Sequence, residues 1–166
     1  MPRPFGFLKP EGSFFAPRML GAAPALNRSN GRHKISVMLV DDETTFLRIE
    51  TLFLETHYRN EVNVVGTANT GEECLAKAQL LAPELILIDL NMPGLSGLQT
   101  IPLLRIMFPE TRIIALTLND GENSRRAVLA AGGNELVSKA TMSTDLMPAI
   151  RRVMRQDQLT LQFAGV

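Results

Sequence analysis

Five short apolar runs constrain this chain most: "ISVMLV" from residue 35, "VNVVG" from 62, "LILID" from 85, "RIIALT" from 112 and "ELVS" from 135. Longer stretches with helical periodicity separate them. Leu85 to Ile88 is apolar at every position, which suits a parallel strand covered on both faces better than a half-exposed strand that alternates. Strands alternating with helices imply an open α/β fold, a doubly wound parallel sheet of five strands with helices on both faces.

The first helix is expected after Asp42, with Phe46, Leu47, Leu52 and Phe53 on its apolar face, and the second past Gly71, with Leu75, Ala78 and Leu81. A third should begin near Ser96, where Ser96 and Gln99 have capping-box spacing. Pro102 removes a backbone bond inside it, so a short, kinked or late-starting helix is expected. Asp120 is placed to cap a fourth helix that Gly132 and Gly133 stop, and Ser143 or Thr144 to cap a fifth ending near Gln156.

Before residue 35 the pattern is absent. Residues 1–34 hold five prolines and six basic residues against one acidic residue, a net +5, so the remainder carries −5 in a chain of zero net charge. We expect a disordered N-terminal extension over 1–34, one folded domain over 35–157 and a short tail over 158–166. An acidic body argues against nucleic acid as the folded domain's own partner, since duplex binding relies on clustered Lys and Arg. Arg151, Arg152 and Arg155 are read as the solvated last turn of a helix. The single cysteine, Cys74, excludes an internal disulfide framework and reads as a core residue. Pro17, Arg18 and Pro24 interrupt the apolar stretches near the N-terminus, so no membrane span is expected and a cytoplasmic location is.

In a doubly wound sheet, ligands bind beyond the carboxyl ends of the strands. There the sequence places Asp41, Asp42 and Glu43 after the first strand, Asp89 at the end of the third, Thr117 at the end of the fourth and Lys139 after the fifth. Converging carboxylates repel unless compensated, so a hard divalent cation with oxygen ligands is their natural partner, and Mg²⁺ fits best. A lysine and a threonine hydroxyl suit the oxygens of a phosphoryl group, and a carboxylate such as Asp89 can form an acyl phosphate.

The order "VMLVDDE", "LILIDLNMPGLSGL", "LTLND" and "VSKA" resembles the receiver domain of bacterial two-component response regulators over about residues 35–157. The resemblance implies a flavodoxin-like, CheY-like fold with strand order 2-1-3-4-5. It implies that Asp89 accepts a phosphoryl group from a sensor histidine kinase or phosphotransfer protein, and that the chain catalyses only its own phosphorylation and dephosphorylation. It further implies Mg²⁺ held by Asp42, Asp89 and the backbone carbonyl of Asn91, with Asp41 acting largely through water. Thr117 and Lys139 would hold the phosphoryl oxygens, and their inward movement would reshape a partner-binding surface and permit a phosphorylation-dependent dimer.

Two positions depart from the family pattern. Leu118 follows the threonine where a small residue is usual, which alters access or rate. Leu136 stands where an aromatic residue is usual, and it reads equally as a rotameric partner of Thr117 or as a core residue. Other readings stay open beside the phosphoacceptor one: the receiver part of a DNA-binding regulator whose output domain lies outside this chain, and a receiver-like module that binds its partner without phosphate. A metal-dependent phosphohydrolase lacks support, because the place of a second acid two residues after Asp89 is Asn91. "GTANTG", residues 66–71, lacks the lysine of a phosphate-binding loop, and His33 and His57 have no partner at metal-ligand spacing.

Overall fold

In a computed structural model the described residues are 33–163. Five parallel strands, β1 (Ile35–Val40), β2 (Val62–Ala68), β3 (Leu85–Asp89), β4 (Arg112–Thr117) and β5 (Glu135–Ser138), form one sheet in the order β2-β1-β3-β4-β5. The helices between them are α1 (Thr44–His57), α2 (Gly71–Leu81), α3 (Gly97–Met107) and α4 (Glu122–Ala131). A single 3₁₀ turn (Lys139–Thr141) leads from β5 into α5 (Met142–Phe163).

The long apolar runs of the central strands are explained by two cores, one on each face of the sheet. Val37, Leu39, Leu85, Leu87, Ile114 and Leu116 pack with Leu47 and Leu54 of α1 and Leu146, Ile150 and Val153 of α5. Their strand neighbours Met38, Val40, Ile86, Ile88, Ile113 and Ala115 pack on the other face with Cys74 and Ala78 of α2, Ile101 and Leu104 of α3 and Val128 of α4. Side chains alternate between faces along a strand, so a strand sandwiched between helix layers has no polar side to spare. Burying side chains of this size yields roughly 1.5–3 kcal/mol each.

Several local expectations need correction. The α3 capping box forms, with Ser96 Oγ accepting from the Gln99 backbone N–H and the Gln99 side chain accepting from the Ser96 N–H. Helix α3 therefore starts directly after Ser96 and runs 11 residues despite Pro102. Asp120 caps nothing: Gly121 takes the N-cap position of α4, while Gly132 ends that helix at φ 100° as expected. Ser143 and Thr144 lie inside α5, which the 3₁₀ turn has already started, and α5 continues to Phe163 through much of the anticipated tail. Arg151 and Arg152 are mid-helix, paired with Glu61 and Glu135 respectively. On α1, Leu52 faces outward and Leu54 takes the buried place. The anticipated N-terminal extension lies outside the described residues except for its last two.

No described helix is long and apolar enough to cross a membrane. Cys74 is buried, as its reading required.

Candidate functional site

The parallel sheet brings the carboxyl ends of β1, β3, β4 and β5 to one edge, and the anticipated polar residues meet there. Asp41 directly follows β1 and is buried. Its backbone N–H continues the β1–β2 ladder to the Ala68 carbonyl at 3.0 Å, and its Oδ1 accepts from the Glu43 N–H at 2.8 Å. Asn69 Nδ2 donates to the Asp41 carbonyl at 3.1 Å, so the turn after β2 also fixes this corner. Asp42, the next residue, is exposed at the mouth of the site.

Asp89 is the last residue of β3 and is buried between neighbours on both sides of the sheet. The segment after it is held tightly: a Cβ on Gly97 would lie 1.9 Å from the Asp89 carbonyl oxygen, so only glycine lets the start of α3 pack against this backbone. Gly94, at φ 73°, supplies the left-handed turn within the connecting loop. Oxygens of Asp41, Asp42 and Asp89 lie within 4.8 Å of one another.

Lys139 reaches this cluster from the residue after β5. Its Nζ donates to Asp41 Oδ2 at 2.5 Å, lies 3.4 Å from Asp89 Oδ2 and sits 4.2 Å from the centroid of the Phe46 ring. The aromatic face and two carboxylates hold the ammonium in one place. Burial alone would depress the Lys139 ammonium, but its bonds and proximity to Asp41 and Asp89 outweigh that and hold its pKa above the ordinary value. Burial also pushes the Asp89 carboxyl up; Lys139 opposes this and the nearby Asp41 charge reinforces it. Thr117 ends β4 beside Ser138 of β5, and its Oγ1 accepts from Asn91 Nδ2 at 3.3 Å and from the Asn119 N–H at 3.1 Å.

The two atypical positions part company. Leu118 is 75% exposed, immediately beyond Thr117, whereas Leu136 is 4% exposed and belongs to the core that includes Val128. The core reading of Leu136 thus has its contacts in place.

Sequence reasoning missed three participants. Phe46, on the apolar face of α1, also carries Lys139 on its ring. Asn69 anchors Asp41 from the end of β2. Glu50 is the third: it is buried on the core side of α1, 1% exposed, and its Oε1 has no hydrogen-bond partner among the described residues. Burial pushes its carboxyl up to about 8, Asp41 adds to the rise, Lys139 opposes it and Asp89 contributes a smaller rise. The signal for Glu50 was available in the spacing, since Leu47, Glu50 and Leu54 occupy one helical stripe.

The donor set fits a hard divalent cation. All three gathered groups are carboxylates, the hard oxygen donors that Mg²⁺ prefers.

The family model described as "Response regulator receiver domain" matches residues 37–151. A Haemophilus influenzae "nitrate/nitrite response regulator protein homolog" is 32% identical over 120 residues, which cover 72% of this chain and 57% of that protein. The chain therefore spans little more than half of that relative. Among solved structures, the isolated REC domain of RcsB from Salmonella enterica serovar Typhimurium matches with a TM-score of 0.67 at 28% identity, covering 75% of this chain and 91% of that one. The response regulator domain of Thermotoga maritima CheB matches with a TM-score of 0.68 at 25% identity, covering 74% and 98%.

Proposed function

Because this chain belongs to the response regulator receiver domain family, we propose that it is a phosphoacceptor signalling module and that Asp89 is the acceptor. The observation that carries this reading is the meeting of Asp41, Asp42 and Asp89 with Lys139 and Thr117 at one sheet edge. A carboxylate oxygen of Asp89 attacks the phosphorus of a donor phosphohistidine. The phosphorus–nitrogen bond breaks, its electron pair stays on the imidazole nitrogen, and that nitrogen then takes up a proton. Asp41, Asp42, Asp89 and the Asn91 backbone carbonyl would hold Mg²⁺, which supplies charge neutralisation for the entering phosphoryl group.

Lys139 pairs with Asp89 before transfer and turns to a phosphoryl oxygen afterwards, remaining near Asp41 throughout. The Thr117 hydroxyl accepts from Asn91 and Asn119 and still carries one O–H to donate to the same group. Its movement toward that group would link the pocket to β4, β5 and the α4 side of the sheet, biasing a two-state surface. The donor would be a histidine kinase or phosphotransfer protein, the location cytoplasmic, and the readout a partner, an output domain or a dimer formed on phosphorylation.

Incubation with acetyl phosphate and Mg²⁺, followed by intact-mass measurement, tests the reading. One added phosphoryl group is expected, absent when the cation is chelated. No addition, or the same addition in Asp89→Ala, contradicts it.

A further inference from the structure

Glu50 is unexplained by the phosphoacceptor reaction. It stands on the apolar stripe of α1 between Leu47 and Leu54, both buried in the core against β1, β3 and α5. A buried polar oxygen without a partner is destabilising, and a buried charge considerably more so. A leucine at this place would continue the stripe at no such cost.

The charged groups acting on Glu50 come from three strand ends. They are Asp41 after β1, Asp89 at the end of β3 and Lys139 after β5, all members of the acidic pocket. From α5, the same core cluster contributes apolar side chains, among them Leu146 and Ile150. Phe46, one helical turn before Glu50, carries the Lys139 ammonium on its ring. Glu50 is not among the carboxylates whose oxygens gather within 4.8 Å. It therefore feels the pocket's charge without belonging to the ligand set.

We propose that Glu50 is a positioning residue of the phosphoacceptor pocket, holding a proton while Asp41, Asp42 and Asp89 face one another without a cation, and releasing it when a divalent cation neutralises them. Cation binding and proton release are then linked, and the pocket binds its cation more tightly as pH rises. With the pocket's negative charge offset, the field that disfavours an ionised Glu50 weakens. The ionised carboxylate in turn adds a favourable charge at a distance from the cation and from Lys139. This inference rests on the reading of the pocket as a divalent-cation site.

The test is calorimetric titration of the full chain with Mg²⁺ at pH 7, in two buffers of unlike ionisation enthalpy, for wild type and Glu50→Gln. Wild type is expected to release a measurable fraction of a proton per cation, and its apparent affinity should rise with pH toward about 8, by at most about tenfold per unit. Glu50→Gln should release less and show a flatter pH dependence. Equal proton release in the two proteins overturns the proposal.

Carbon-13 detection of the Glu50 carboxyl in wild type decides the matter even if the variant fails to fold. The carboxyl signal should sit near its neutral position without Mg²⁺ and shift part of the way toward the ionised position at saturation. A signal that stays put while the Asp42 and Asp89 signals move overturns the proposal alone. Failure of Mg²⁺ to move any of the three overturns the pocket reading, and this inference with it.

Discussion

Replacing Glu50 by glutamine should stabilise the cation-free protein, and by an amount that depends on pH. Glutamine keeps the shape and polarity of the neutral acid but cannot ionise. The folded-state pKa of Glu50 is raised from 4.5 to about 8, so between these values the folded chain holds a proton that the unfolded chain has lost. A raised folded pKa contributes stability that is fully present below the unfolded value and disappears as pH rises through the folded one. Each unit corresponds to about 1.4 kcal/mol. Between pH 4.5 and pH 7, wild type should lose on the order of 3 kcal/mol that the variant keeps. That is a large fraction of the roughly 5–15 kcal/mol that holds a typical domain folded. Urea unfolding followed by circular dichroism, in EDTA at several pH values, measures both proteins. Other titrating groups act equally on each and cancel in the difference. The stability gap should be small near pH 4.5 and widen steadily to pH 7. A gap that is constant across this range refutes the assignment of a buried neutral carboxyl to Glu50.

Other perturbations follow from the same geometry. Lys139→Met leaves Asp41 and Asp89 without their shared cation, and phosphorylation from acetyl phosphate should slow by roughly a hundredfold, read by time-resolved intact mass. Mg²⁺ should raise the thermal midpoint of wild type through preferential binding to the folded chain, and in scanning calorimetry Asp42→Ala should lose most of that rise. Gly97→Ala should destabilise the fold by roughly 3 kcal/mol or more, measured in urea, because its Cβ would meet the Asp89 carbonyl oxygen at 1.9 Å.

The sheet was legible because β3 and its neighbours are apolar on both faces, a pattern that only helix layers on each side can satisfy. Asp41, Asp42, Asp89, Thr117 and Lys139 were legible for a related reason. Each falls where an apolar run stops, and a parallel sheet brings all such stops to one edge. Helix ends were harder to place. Asp120 looks like a cap, but Gly121 fills that place, and the turn from Lys139 to Thr141 starts α5 ahead of Ser143 and Thr144. Backbone geometry made those choices, and side-chain type only suggests them. Glu50 is the same residue type as the exposed Glu55 of the same helix, and only its place on the stripe with Leu47 and Leu54 sets it apart. The role of Phe46 depends on the direction from which Lys139 approaches, which no spacing along the chain specifies.

The central measurement is the site of modification. After reaction with acetyl phosphate and Mg²⁺, borohydride reduction converts an aspartyl phosphate to homoserine, and peptide mass mapping then locates it. The expected result is homoserine at position 89 in wild type, with no homoserine anywhere in Asp89→Ala. Homoserine at position 41 or 42, or its persistence in that variant, would contradict Asp89 as the phosphoacceptor.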